Sequence, residues 1–264
     1  MINPAKKTID LLNKITSLSS SVTLSEFERR AFRRDIDAVI NLNPEFGFMM
    51  HGMLSAISGD YDETKSYFDR SMHYSSGNNF FVVGNYAESL WRLKRWSESL
   101  SLYVRALSFE PLSVSILRAV YTLVGLSFDL EAGAKAKSIV QGCHGFSPEK
   151  HYALIERVDY LLEKVSESGV SQREVKKVAG FCEELLRREG LTTAGIFQRT
   201  FTFEDTMMLY IEYGLNTTSE VLFRLNDELA DIIASDESLV GWAKYSVCFA
   251  YGKREELEGR HNGR

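Results

Sequence analysis

The sequence predicts a mainly α-helical protein, an α-solenoid of helix hairpins followed by a smaller helical or α+β C-terminal domain. Three observations favour this fold class. Residues 45–78 and 80–113 are similar to each other at a fixed offset, much of the chain has apolar residues at helical spacing, and the spacing changes toward two after Thr193. Self-similarity at a period of about 20 to 50 residues is typical of units that bury their apolar faces by stacking on neighbours.

Two helices are predicted before the repeated segment. The first covers about residues 4–18 and contains an amphipathic stretch from Ile9 to Ile15. The second covers residues 25–42 and ends at Asn43-Pro44, because the residue before a proline is disfavoured in helical conformation. We expect this pair to be a degenerate repeat or an N-terminal cap.

The repeated segment carries matching residues 35 positions apart. The stretch from Gly59 to Thr64 corresponds to the stretch from Lys94 to Ser99. Small residues match small ones and aromatic residues match aromatic ones at the same offset: Gly52 with Ala87, Phe68 with Tyr103, and Ser71 with Ala106. We therefore expect two helix–turn–helix units in which a small residue on the first helix lets the second approach closely, and in which Pro111 ends the second unit.

This pattern resembles the tetratricopeptide repeat family. Units of that family combine a small residue on the first helix, a turn similar to Gly-Asp-Tyr-Asp-Glu-Ala, and aromatic and small residues on the second helix. The resemblance covers residues 45–113 closely and 1–145 more loosely. The chain departs from the family pattern at Thr64, Ser71, Ser76 and Lys94.

The resemblance implies a function in protein binding. In tetratricopeptide arrays the first helices of successive units line a concave groove that holds a peptide. The predicted groove residues of this chain are Phe46, Met49, Met53, Ile57, Phe81, Glu88, Trp91 and Arg92. Such a surface is apolar and rich in methionine, whose flexible thioether adapts to irregular partners. The alternative is that these side chains form only the core between repeats.

A domain boundary is predicted near residue 145. Residues 114–126 and 130–141 form a further helix pair with a poor motif match, and the breaker cluster of residues 142–148 follows. The expected domains are therefore a repeat domain at 1–145, a C-terminal domain at 146–252 and a charged tail at 253–264.

The C-terminal domain is predicted to contain two helices and then the order β-β-α-β. The first helix begins at Ser147-Pro148, and the second begins at a capping box formed by Ser171 and Glu174 and ends at Gly190. Residues 196–203 and 207–213 are rich in aromatic and β-branched residues and predict a hairpin. A helix after Thr218 and a strand over residues 242–251 complete the pattern, and a fully helical alternative stays open.

Composition excludes several classes of protein. The formal charge of -5 gives no general attraction to nucleic acid, and the apolar stretches are too short for the roughly 20 residues of a membrane span. Cys143, Cys182 and Cys248 are far apart and are expected to be free thiols in the cytoplasm. Common phosphate, dinucleotide, zinc-protease and hydrolase motifs are missing from the sequence, so we expect no cofactor and no metal.

The predicted function is a protein–protein interaction module, an adaptor, chaperone or regulator that holds a peptide or protein partner. One alternative is an enzyme or a toxin-neutralising protein that acts through residues 190–252, around Arg199, Tyr210 and Glu212. A second alternative is homo-oligomerisation through exposed Phe81, Trp91 or Trp96. Two weaker sites are a metal or thiol centre at Cys143, His144 and His151, and an acidic-partner or RNA contact at the arginines of residues 29–34.

Overall fold

The computed structural model describes residues 4–18 and 24–252, which divide into two compact units along the chain, with the division between Ile116 and Leu117. The predicted charged tail at 253–264 lies outside the described residues. Most of the described residues are helical, and a small three-stranded sheet lies near the C-terminal end, so the mainly helical fold class is confirmed. No helix in the described ranges is both long and apolar enough to cross a membrane.

The first unit consists of helices that begin and end close to the predicted positions. They are α1 (Pro4–Thr16), α2 (Glu26–Ile40), α3 (Pro44–Ile57), α4 (Tyr61–Tyr74), α5 (Phe80–Arg92) and α6 (Trp96–Leu107). The next helix, α7 (Val114–Ser127), begins in the last residues of this unit. Local capping explains these starts: the Ser25 hydroxyl accepts from the amide of Glu28, and the Asp60 carboxylate accepts from that of Glu63.

Helices α3 and α4 form one hairpin, and α5 and α6 form the next. The turn residues Gly59 and Lys94, which correspond at the 35-residue offset, both adopt positive φ angles, of 79° and 58°. A left-handed conformation costs glycine little but is strained for lysine. The two turns therefore have the same backbone conformation although only one of them has the residue that suits it.

Corresponding positions of the two hairpins are also buried alike. Phe68 and Tyr103 are both buried, and so are Ser71 and Ala106. A Cβ atom added to Gly52 would lie 2.5 Å from a ring carbon of Phe68, so the absence of a side chain is what allows α3 and α4 to approach at this point.

The second unit combines helices with the sheet. Its helices after α7 are α8 (Leu130–Gln141), α9 (Pro148–Ser168), α10 (Gln172–Arg188) and α11 (Ser219–Ser235), and its strands are β1 (Thr193–Phe203), β2 (Thr206–Leu215) and β3 (Tyr245–Tyr251). Strands β1 and β2 form the predicted hairpin, and the turn residues Glu204 and Asp205 both have positive φ, as two-residue hairpin turns require. Strand β3 pairs with β2 in parallel, after the crossover through α11.

Two details of this unit differ from the expectations. Residues Trp242–Lys244 form a short 3₁₀ turn rather than the start of the last strand. The compact units divide at Ile116 rather than near residue 145, so most of α7 and all of α8 group with the sheet. The physical reason is a set of contacts to the end of α7: the Tyr213 hydroxyl donates to the carbonyl of Leu126 at 2.9 Å, and the Gln198 amide donates to that of Gly125 at 3.3 Å.

The outer edge of β3 is partly covered by α11. The side-chain amide of Asn226 accepts from the backbone N–H of Phe249 at 2.8 Å and donates to its carbonyl at 2.9 Å. One side chain thus satisfies both backbone groups that a further strand would have paired.

Candidate interaction surfaces

The α3 part of the predicted groove lies in the core of the first unit. Met49 is fully buried and Met53 is 8% exposed, and both belong to an apolar cluster that includes Leu11 and Ile15 of α1. Phe46 and Ile57 are partly buried against the same cluster. The expectation that these methionines face an open groove is therefore not met, because apolar side chains of α1, α2, α4 and α5 complete the buried cluster around them.

The α5 part of the predicted groove is open. Phe81 is 59% exposed, and Glu88, which is two turns further along on the same side of the helix, is also exposed. Asn85 lies between them and donates to the carbonyl of Phe81 at 2.8 Å. The carboxylate of Glu88 accepts from the hydroxyl of Tyr103 at 2.7 Å, which fixes the direction of the negative charge. We call the side of α5 that carries Phe81, Asn85 and Glu88 the α5 strip.

The last two predicted groove residues lie at the C-terminal end of α5 and are half-buried. The indole of Trp91 meets the ring of Tyr103 edge-on, with centroids 6.3 Å apart. Arg92 donates to the carbonyl of Leu18, in the segment just after α1, at 2.9 Å. The end of α5 thus contacts the N-terminal segment of the chain by a hydrogen bond.

The surfaces predicted for self-association and for an acidic partner or RNA are less available than the sequence suggested. Trp96, one of the three residues proposed for self-association, is 2% exposed and belongs to the core. Of the N-terminal arginines, Arg30 pairs with Glu26 at 2.9 Å, and Arg33 pairs with Glu63 at 3.0 Å. These carboxylates offset the positive charge that an acidic partner or RNA would need.

The predicted polar cluster of the C-terminal domain does assemble on one face of the sheet. The hydroxyl of Tyr210 donates to the carboxylate of Glu212 at 2.7 Å and lies 3.4 Å from the sulfur of Cys248. The guanidinium of Arg199 lies 5.3 Å from the centre of the Tyr210 ring. Sequence reasoning missed Cys248, which joins the cluster because it is opposite Glu212 in the parallel pair of β2 and β3.

The pKa values of the two candidate nucleophiles in this cluster, Cys248 and Tyr210, are raised. Burial raises the pKa of the Cys248 thiol, and burial together with the contacts to Cys248 and Glu212 raises the pKa of Tyr210. Both groups are therefore protonated at neutral pH, and a thiolate or phenolate nucleophile is disfavoured.

The segment with Cys143 and His151 is held together by local contacts. His151 is 8% exposed, its Nδ1 atom lies 2.9 Å from the carbonyl of Ser147, and its ring stacks on Phe146 with centroids 5.7 Å apart. Within residues 4–18 and 24–252, no group of three or more His, Cys, Asp or Glu side chains is arranged to hold a metal ion.

A cavity of about 810 Å³ lies between α11 and β3, in a place that no sequence motif indicated. Its walls include Ile233 of α11, Val247 of β3 and the strongly exposed Val240 and Trp242 of the connecting segment. The sequence signal that could have found it is the pair of large apolar residues in a turn-forming segment, where solvent exposure is expected.

Comparisons with protein-family models, with curated proteins and with solved structures find no match to this chain.

Proposed function

We propose that this protein is a protein–protein interaction module, an adaptor, chaperone or regulator, that binds an amphipathic helical segment of a partner along the α5 strip. The observation that carries the proposal is Phe81, a large apolar side chain that is 59% exposed on α5, the first helix of the second hairpin. The α3 part of the predicted groove is buried together with side chains of α1, α2, α4 and α5, which leaves the α5 strip as the exposed part of that groove. A partner's amphipathic helix can bind such a surface through apolar side chains at helical spacing.

The α5 strip has the chemistry that such a partner would need. Phe81 offers a large apolar anchor, and aromatic anchors contribute a large share of binding free energy in protein interfaces. Glu88 offers a carboxylate with a defined direction, which favours a partner helix carrying a lysine or arginine about two turns from its apolar anchor. The resemblance of residues 45–113 to tetratricopeptide repeats agrees with this use of a first helix.

The alternative of catalysis at Arg199, Tyr210 and Glu212 has weaker support. These side chains do converge, but the raised pKa values of Tyr210 and Cys248 remove the two candidate nucleophiles at neutral pH. The C-terminal unit is better suited to a second protein contact, through the cavity beside Val240 and Trp242.

A photo-crosslinking experiment tests the proposal directly. The photoreactive residue p-benzoylphenylalanine would replace Phe81 in the full-length chain, and in a matched control it would replace Phe27 of α2, which is 82% exposed. We expect position 81 to crosslink a specific protein in native lysate that position 27 does not capture. A crosslink from position 81 to a second copy of this chain would instead favour self-association and overturn the proposed partner.

The captured protein would then be titrated in purified form. Loss of an aromatic hot spot costs about 2 kcal/mol or more, so Phe81→Glu is expected to weaken binding at least about thirtyfold, whereas Phe27→Glu leaves it unchanged. Circular dichroism establishes that both variants are folded. Equal affinity of wild type and Phe81→Glu would rule out the α5 strip as the binding surface.

A further inference from the structure

Arg157 of α9 is half-buried, and it forms no ion pair with any carboxylate of residues 4–18 and 24–252. Its Nε atom is buried and has no hydrogen-bond partner among the described residues. The influences on its pKa are burial, which lowers it, and the neighbouring Tyr121 and Tyr160, with no carboxylate among them. By contrast, Lys137 and Lys176 of the same unit each have an aspartate oxygen at 2.6 Å.

An arrangement of this kind is costly in the unliganded protein. The Nε–H group has left water without a hydrogen-bond partner, which loses hydration free energy, and the guanidinium stays charged because arginine keeps its proton. The structure nevertheless makes room for the guanidinium: a Cβ atom at Gly125 would lie 2.5 Å from Nη2 of Arg157, so any larger residue at position 125 would displace it.

The guanidinium lines a cavity of about 370 Å³ with Tyr121, Ala153, Glu156 and Tyr160. The ring of Tyr121 has its centre 5.5 Å from the guanidinium carbon and is 38% exposed. The hydroxyl of Tyr160 donates to the carbonyl of Gln198 at 2.8 Å, which fixes that ring as a wall. The cavity is thus open to solvent, has aromatic and apolar walls, and contains one cation; its volume lies in the range of small-molecule sites.

We propose that this cavity binds a small organic oxyanion, a carboxylate or phosphate joined to an aromatic or apolar body, with Arg157 as its bidentate anchor. A planar guanidinium matches the oxygens of either group and pairs with them through two parallel hydrogen bonds. The rings of Tyr121 and Tyr160 contact the body of the ligand. Glu156 is exposed and lines the same cavity, so its charge opposes the anion and limits its affinity.

The test uses benzoate and phenyl phosphate as probes of the full-length chain, and inorganic phosphate as the probe without an apolar body. Binding would be followed by ligand-observed NMR and calorimetry. We expect saturable binding of benzoate, phenyl phosphate or both, at least tenfold tighter than inorganic phosphate. Binding of benzoate alone assigns a carboxylate ligand, and binding of phenyl phosphate alone assigns a phosphate ligand.

Three variants separate this site from nonspecific binding. Arg157→Gln is expected to abolish binding. Arg157→Lys is expected to weaken binding at least tenfold, because a lysine cannot form the two parallel hydrogen bonds of a guanidinium, and Glu156→Gln is expected to strengthen it. Arg157→Gln should also raise the melting temperature of the unliganded protein, since it removes an N–H group that is buried without a hydrogen-bond partner. An arginine with a purely structural role would show the opposite change. Undiminished binding by Arg157→Gln, or saturable binding of neither organic probe, would overturn the proposal.

Discussion

The contact between Gly52 and Phe68 gives a quantitative test of the helix-hairpin packing. Two opposing effects act when Gly52 is replaced by alanine. Alanine is favoured over glycine inside a helix by about 1 kcal/mol. Against this, the new Cβ atom would lie 2.5 Å and 2.6 Å from two ring carbons of Phe68, a ring that is fully buried. Forcing an additional carbon into a filled core costs about 1–3 kcal/mol.

The chain contains a matched control for this substitution. Gly84 also lies inside a helix of the first unit, α5, and a Cβ atom added there meets nothing within 4 Å. Gly84→Ala is therefore expected to raise the free energy of unfolding by about 1 kcal/mol, the propensity gain alone. Gly52→Ala is expected to be less stable than Gly84→Ala by about 1–3 kcal/mol, because the steric cost is then the only difference.

Urea unfolding followed by circular dichroism measures this difference, and hydrogen exchange of peptides from α3 and α4 locates it. Exchange should become faster in α4 of Gly52→Ala and stay unchanged there in Gly84→Ala. If Gly52→Ala were as stable as Gly84→Ala, with no change of exchange in α4, the close approach of α3 to Phe68 would be refuted.

Two further predictions concern the turns and the acid stability. Lys94→Gly should raise the free energy of unfolding by about 1 kcal/mol and Gly59→Ala should lower it by about 1–2 kcal/mol, because both positions require a left-handed backbone. Urea unfolding of the two variants measures both changes, and equal effects of the same sign would contradict the prediction. Ion pairing with Arg224 lowers the pKa of Glu189 from 4.5 to about 2, so this carboxylate stabilises the fold above pH 4.5 and loses that effect as the pH falls toward 2. Glu189→Gln should flatten this part of the stability profile in acid titrations, and an unchanged profile would show that the pair contributes nothing.

Most helices could be predicted because their signals are local. Ser25 with Glu28, Asn43 with Pro44, and Ser171 with Glu174 are capping patterns within a few residues, and the structure places helix starts at each of them. The β1–β2 hairpin is local in the same sense, because alternating aromatic and β-branched residues flank a short polar turn.

The exposure of the predicted groove could not be read from the sequence. Phe81 and Met49 look alike in a pattern of apolar residues at helical spacing, yet one is 59% exposed and the other fully buried. The difference depends on which side chains of other helices cover each position, and Met49 is covered by a cluster that draws on α1, α2, α4 and α5. The same applies to Cys248, which reaches Tyr210 only through the parallel pairing of β2 and β3.

The sequence by itself determined the predominance of helices and the 35-residue similarity of the two hairpins, because spacing, caps and turn residues act over short distances. For the C-terminal domain it predicted the order β-β-α-β beside a fully helical alternative. Only the tertiary structure decided that the methionines of α3 are buried, that α7 and α8 belong with the sheet, and that Arg157 lines a cavity without forming an ion pair among the described residues. These properties depend on burial and on long-range neighbours, and the free energy of a buried side chain or charge is set by what surrounds it rather than by its place in the chain.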